Sequence, residues 1–515
     1  VTLKFEFTLE KDWPALAWIA ECIEADPVVR VRRGHAVETR PAWFCEAVWD
    51  GEFESGDFDR TDLIFGSGGR LREGRAIFVS PACTVDRLQF LKLYDRTMIS
   101  NSLACLLAIG RIKVDPTYIR YPDFFRSIVN GLDSYDRSLP TESGSLKLSY
   151  FRNLVWDGRT LCEEDKPAPQ RDFSSFDSYR NFLRTSMGRI GSNMRATTRT
   201  HAYDMVGALS SGYDSTTATV LGCEAGMRHS FSFNTARGGH EDHGRDVARI
   251  LGIDWTLANR RDWKEHALAE VPYLAATGLA PDVIFNSVQE LLRGRVLLTG
   301  FHGDKVWAKD TKSLSPNIVR GDASGLSFTE RRLDLCCIHF PVPFMGVRQI
   351  GDINTLSNSA ELTPWDVPGG YSRPICRRIV EEAGVPRSLF GVSKKAATNL
   401  FHQGEALLTE TTRAEYHQWL RENKQLWAAR GAQTPNVPGR AFLALKKRYY
   451  LISRFARVLA RLLPSAPGSW LAKKDAELDR WLNRRINLVT HLFPWAIERM
   501  SGLYAPQKDA NREPS

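Results

Sequence analysis

Apolar and polar residues alternate strictly at the start of the chain. Val1, Leu3, Phe5, Phe7 and Leu9 are apolar, and Thr2, Lys4, Glu6 and Thr8 are polar. A period of two predicts a half-buried strand. Short β-like runs recur at Arg75-Ala76-Ile77-Phe78-Val79 and at Phe90-Leu91-Lys92-Leu93-Tyr94. Together they predict a β-rich N-terminal domain over residues 1–165, closed by a polar, Pro-containing linker from Glu163 to Arg171.

The rhythm then changes. Asp204 to Leu209 is a short, mostly apolar run and predicts a buried strand. Ser210 to Asp214 reads as a tight polar loop and Ser215 to Ala225 as a helix. A second strand is expected at Ser230–Phe233, then a helix over His243–Leu251 stopped by Gly252. A helical stretch at Ser287–Leu292 precedes a strand at Arg295–Leu298. Strands alternating with helices predict an α/β fold with a parallel sheet covered on both faces, here over residues 176–410. The remainder, 411–515, reads as a helical extension: Arg413–Arg430 helical, a break at Gly431–Gly439, then a basic amphipathic stretch over Ala441–Leu463.

Composition narrows the class. The 515 residues, 43% apolar and 25% charged, describe a folded globular chain. At about 100–200 residues per domain they allow two to four domains. No run of about 18 apolar residues suggests a spanning helix. The charged N-terminus is unlike a secretory signal. The nine cysteines include no CxxC pair, which argues against a zinc knuckle or redox motif and for free thiols in a reducing cytoplasm.

The net charge of +9 is unevenly spread. Residues 411–515 hold 19 Lys and Arg against 8 Asp and Glu, whereas the first 410 hold 50 against 52. In the amphipathic stretch, Phe442, Leu445, Tyr449, Ile452, Phe455, Leu459 and Leu462 recur every three or four residues beside Lys446, Lys447, Arg448, Arg454, Arg457 and Arg461. Such a helix suits an anionic membrane surface, an acidic partner, or docking of its apolar face on the rest of the chain. Nucleic acid is disfavoured, because no nucleic-acid-binding fold accompanies the charge.

The chemistry concentrates at Leu209-Ser210-Ser211-Gly212-Tyr213-Asp214-Ser215-Thr216. A turn of small residues between a buried strand and a helix lets backbone N–H groups approach an anion. Ser210, Ser215 and Thr216 add hydroxyls. Asp214 would repel a bare phosphate but suits Mg²⁺ bridging to pyrophosphate oxygens. There is no GxxxxGK[ST], so this is not a Walker-type loop. The alternative is an ordinary strand-to-helix turn.

This segment resembles the SGGxDS pyrophosphate loop of the ATP pyrophosphatases (adenine nucleotide α-hydrolase-like fold). In particular it is similar to the loop of the asparagine synthetase family, which includes the β-lactam synthetases and lasso-peptide cyclases. Ser211 stands at the first glycine of that pattern. Further segments match in order: Ser230–Phe233, whose strand lies beside adenine in the family; Glu241-Asp242; Leu297–Asp304, with the second metal-binding Asp; and Tyr371–Ala397. The resemblance implies Mg²⁺ and ATP as cofactors, with Asp214 and Asp304 as metal ligands. Leu209 to Thr216, Phe233 and Gly300 would hold the nucleotide. Lys394 or Lys395 would serve as the family's catalytic lysine, unless the pair is merely a solvated surface. Glu361 and Tyr371 would be an acid–base pair. The implied activity is adenylation of a small-molecule or peptide carboxylate, followed by transfer to an amine. The amine would come from free ammonia or from an amino group of the substrate itself. A homodimer and a cytoplasmic location, with the tail at a membrane surface, are the accompanying expectations.

The sequence departs from the family at Phe301, His302 and Lys305, where Glu, Gly and an acidic residue are more usual. His302 is then a ligand, an acid–base group or a structural histidine. Asp95–Leu107, with Ser100-Asn101-Ser102-Leu103, resembles a late segment of the family's glutaminase (Ntn-hydrolase-like) domain. That domain uses an N-terminal cysteine, whereas this chain begins at Val1 and its first cysteine is Cys22. The expectation is a degenerate glutaminase-like domain kept as scaffold. The competing expectation for the whole chain is a non-catalytic scaffold or nucleotide-binding protein that kept the fold.

Overall fold

A computed structural model describes residues 2–115, 118, 120–142, 145–236, 239–311, 314–368, 371–392, 408–423 and 491–505, with isolated positions between 444 and 474. The protein is mixed α/β, with a β-rich N-terminal region and a five-stranded parallel sheet.

The N-terminal region contains a seven-stranded and a six-stranded sheet. The alternating start forms the strand Lys4–Leu9, an edge strand pairing in parallel with Val28–Arg33. The other two expected runs form Arg75–Val79 and Leu88–Leu93. Trp18, Phe44 and Phe78 fill the space between the sheets, with ring centroids 5.0 Å apart for Trp18–Phe44 and 6.3 Å for Trp18–Phe78. Cys22 is buried in the same layer, and burial pushes its thiol far above the usual range. The segment expected as a linker is strapped down. The buried Lys166 amine donates to Asn153 at 2.8 Å, and Arg171 pairs with Asp62. Burial lowers the Lys166 amine to about 7.

The parallel sheet comprises β1 (Asp204–Ala208), β2 (His229–Phe233), β3 (Asp254–Ala258), β4 (Arg295–Thr299) and β5 (Ile338–Pro341), in the spatial order β3-β2-β1-β4-β5. β1 and β4 at its centre are mostly apolar because helices or the N-terminal sheets cover both faces. Helix α1 (Phe176–Met194) packs between the strand Trp43–Trp49 and helix α2 (Tyr213–Glu224). The helix expected over His243–Leu251 is shorter, Arg245–Ile250, and Gly252 follows it with φ +65°.

Helix α3 (Thr329–Asp334) joins the two halves. Arg332, 2% exposed, donates two hydrogen bonds to Glu46, at 2.7 and 3.1 Å, and its Nε pairs with Asp86. Glu330, also buried, accepts from the Leu103 amide and the Ser102 hydroxyl. It thereby satisfies the start of the helix Leu103–Gly110. Phe65 stacks on Phe340 of β5 with ring centroids 3.7 Å apart.

The expected C-terminal extension is not wholly peripheral. Helix Leu492–Ser501 buries Leu492, Phe493, Trp495 and Ile497, and Phe493 lies 4.6 Å from Tyr121 of the N-terminal region. Tyr416, on the helix Glu410–Glu422, packs 5.3 Å from Trp495. The expected break at Gly431–Gly439 and most of Ala441–Leu463 lie outside the described residues; within the latter, Leu451, Ile452 and Phe455 are exposed. All nine cysteines are free. Among the described residues, no helix is long and apolar enough to cross a membrane.

Removing Arg332 would strand two buried carboxylates. Arg332→Met is expected to lower unfolding free energy by about 3–5 kcal/mol. Urea denaturation of this variant, and of the triple variant that also carries Glu46→Gln and Asp86→Asn, is the check. The triple variant should recover most of the loss. An unchanged midpoint for Arg332→Met would contradict the role of the pair.

Candidate active site

The strand order fixes where a ligand can sit. The chain steps from β1 to β2 on one side and returns to β4 on the other, so a crevice opens between the C-terminal ends of β1 and β4. A cavity of about 220 Å³ lies there. The turn after β1 lines its floor through Leu209, Ser210, Gly212, Asp214 and Ser215. Phe231, Phe233 and Thr235 come from the β2 side, and Thr299, Gly300, Phe301 and His302 from the β4 side.

The turn is internally knitted. The Ser210 amide donates to Ser215 Oγ at 3.2 Å, and the two hydroxyls lie 2.7 Å apart. The Gly212 amide donates to Ser210 Oγ at 3.1 Å. Ser211 keeps an ordinary backbone; its amide and hydroxyl both donate to Asp242 Oδ1, at 3.0 and 2.7 Å. A serine therefore fits this position without left-handed strain. Helix α2 starts at Tyr213, earlier than the sequence indicated, because Gly212 takes the extended N-cap conformation. That places Asp214 in the first turn, where the helix dipole favours a carboxylate.

Two glycines let β4 close on this turn. A Cβ on Gly300 would lie 2.4 Å from the Asp214 carbonyl carbon, and one on Gly303 would lie 2.6 Å from its carboxylate. Asp304 lines the same cavity. Two carboxylates match the number that Mg²⁺ usually takes from a protein when it binds together with phosphate oxygens. Among the described residues, no group of three or more His, Cys, Asp or Glu side chains would hold a metal by itself.

Arg373 is a site residue that sequence reasoning missed. Its buried guanidinium pairs with Asp214 and lies 5.3 Å from the Tyr371 ring centroid. Burial works against this charge, but Asp214 outweighs it and holds the guanidinium well above its usual range. The two residues are 159 positions apart, so no local pattern could reveal the pair. The only nearby signal is Pro374 at the start of the helix Pro374–Glu382, which places Arg373 at its N-cap.

Several expected site residues are placed differently. Thr216 is fully buried, and its hydroxyl donates to the carbonyls of Ser210 and Gly212 at 3.0 and 2.7 Å. It shapes the turn and does not line the cavity. Glu361 is not paired with Tyr371. Its carboxylate accepts from the Phe176 amide at 3.0 Å and pairs with Arg378 at 2.7 Å, holding the start of α1. The expected dyad is corrected accordingly, because the Arg378 cation and the α1 amide engage that carboxylate. Tyr371 does line the cavity, and burial pushes its hydroxyl to about 12. Tyr213 also lines it, with its hydroxyl accepting from Arg377. Lys394 and Lys395 lie outside the described residues.

His302 has φ +75°, a left-handed conformation that costs a non-glycine residue about 1 kcal/mol or more. It is 5% exposed, and neither ring nitrogen has a hydrogen-bond partner among the described residues. Burial, with Arg320 and Lys305 nearby, lowers it well below the usual imidazole range.

The close approach of β4 to the turn is testable. Gly300→Ala should destabilise the protein by about 1–3 kcal/mol, since its methyl group meets backbone atoms that have no room to shift. Chemical denaturation measures this, and an unchanged stability would contradict the packing described. Comparisons with known proteins add no assignment to this geometry: no protein-family model matches the chain, and no curated protein matches it.

Proposed function

We propose that the protein is an ATP-dependent, AMP-forming amide synthetase of the asparagine synthetase type, built on an ATP pyrophosphatase fold. The observation that carries this reading is the joint placement of Asp214 and Asp304 beside a small-residue strand-to-helix turn at the crevice between β1 and β4. The β-rich region is then a degenerate glutaminase-like scaffold. Its intersheet space is filled by Trp18, Phe44 and Phe78.

In this mechanism the turn and the start of α2 orient the triphosphate, and the β2 side receives the adenine beside Phe233. Asp214 and Asp304 would hold Mg²⁺, which supplies charge neutralisation for the triphosphate. An oxygen of the substrate carboxylate attacks the α-phosphorus. The α–β phosphoanhydride bond breaks, giving an acyl-adenylate and pyrophosphate. An amine then attacks the acyl carbon, AMP leaves, and the amine nitrogen gives up a proton. The amine is ammonia or belongs to the substrate, which makes ring closure one form of the reaction. Arg373 would exchange Asp214 for the leaving pyrophosphate and stabilise its developing charge. Lys394 and Lys395 keep their proposed role as the lysine of the reaction. A homodimer, a cytoplasmic location, and a membrane or acidic partner for the basic 441–463 stretch complete the proposal.

A second reading, a non-catalytic protein that kept the fold, is favoured by one observation: Arg373 already neutralises Asp214. ATP–pyrophosphate exchange over a panel of carboxylates separates the two. The synthetase reading expects Mg²⁺-dependent exchange, reduced about 100-fold or more in Asp214→Asn. Absence of exchange with every acid, or exchange indifferent to Asp214→Asn, would favour the second reading.

A further inference from the structure

We infer that Leu451, Ile452, Phe455 and Leu459 form an apolar ridge that inserts, with Trp470, into the headgroup region of an anionic membrane. The inference narrows the partner proposed above for the basic stretch, and it does not depend on the chemistry at the crevice.

Folding leaves few large apolar side chains in water. Among the described residues twelve stay exposed, and five of the twelve fall between positions 451 and 470. Leu451, Ile452, Phe455 and Leu459 are 65, 67, 72 and 41% exposed, and Trp470 is 60% exposed. Single exposed apolar residues are ordinary, whereas such a concentration marks an interaction surface.

The positions share one side of a helix. Ala444, Arg448, Leu451, Ile452, Phe455 and Leu459 are all helical and exposed. At about 3.6 residues per turn they span an arc of about 100°. Tyr449 and Ser453 are helical and buried, so they mark a different side. The sequence pattern puts Tyr449 in one stripe with Ile452, Phe455 and Leu459. The structure divides that stripe: the side with Tyr449 is covered, and the ridge faces solvent. Docking on the rest of the chain therefore uses the Tyr449 side and leaves the ridge for another partner.

Charge selects that partner. The 441–463 stretch has six Lys and Arg and no Asp or Glu. Arg448 is exposed on the ridge side itself, and Lys473 and Lys474 are exposed shortly after Trp470. An acidic polymer would match the cations but leave the ridge in water. An anionic bilayer surface supplies acidic headgroups for the cations and the acyl boundary for the apolar side chains. Tryptophan favours the same boundary.

Flotation of the full chain with lipid vesicles, without nucleotide, tests this. Neutral phosphatidylcholine vesicles are compared with vesicles in which about one third of the lipid is phosphatidylglycerol. The anionic vesicles should bind about tenfold or more tightly, and salt should weaken that binding. The double variant Ile452→Gln, Phe455→Gln keeps the charge and the helix propensity, and both side chains are exposed, so it should fold. It should bind the anionic vesicles about tenfold or more weakly. Equal binding to the two kinds of vesicle would overturn the inference. Binding that the double variant retains in full would overturn it too, and would assign the cations to an acidic partner. Self-association of the chain in sedimentation velocity, abolished by the double variant, would instead assign the ridge to a second copy. Each of these failures leaves ATP–pyrophosphate exchange, and the reading that rests on it, untouched.

Discussion

The buried clasp between Arg332, Glu46 and Asp86 governs how the two halves meet. A guanidinium and two carboxylates removed from water are stable only when each finds its partners in good geometry. Here Arg332 reaches Glu46 twice, and Glu46 also accepts from Ser67 at 2.6 Å and from Asn101 at 3.2 Å. Trp18 donates to Ser67 through its indole and to Asn101 through its backbone. The network thus runs from the middle of the β-sandwich to α3, which directly precedes β5. A shift of the halves would break several buried hydrogen bonds together, so the arrangement is rigid where it has to be.

That rigidity positions the crevice. With β5 held by α3 and by the Phe65–Phe340 stack, β4 lies between fixed neighbours. Thr299 at its end meets His339 of β5 at 2.9 Å. The next residue, Gly300, then abuts Asp214. A second ion pair, Arg373 with Asp214, has a different character, because both its members line the cavity. The clasp at Arg332 is closed and structural. The pair at Asp214 is open to exchange, and an incoming polyanion with its cation would compete for both partners.

The parts of this arrangement that were legible in the sequence have a common cause. β1 and β4 are mostly apolar runs and β2 alternates serine with phenylalanine, each ended by a polar turn, and the sequence pattern locates all three within one or two residues. β3 and β5 were missed. Asp254–Ala258 carries polar positions at the sheet edge, and Ile338–Pro341 is four residues long and ends in proline. Trp43–Trp49 shows no alternation because every residue in it is buried, including the charged Glu46. Ile64–Arg72 hides behind three glycines. At the site, the small-residue turn and Asp214 are legible from the local sequence, and Asp304 only through the family resemblance. Arg373 and the displacement of Glu361 were not, since both depend on partners far along the chain. Phe301 and His302 were visible as departures from a pattern, but only the backbone angle and the cavity give those departures a physical meaning.

The net positive charge belongs mainly to the C-terminal hundred residues, so it says little about this chemistry. The central claim is that a carboxylate becomes activated on the α-phosphate of ATP. The most direct measurement is isotope transfer from an ¹⁸O-labelled carboxylate substrate during a single turnover with Mg-ATP and an amine. The account expects one labelled oxygen in the AMP released and none in pyrophosphate. Label appearing in inorganic phosphate, with ADP as the nucleotide product, would contradict it.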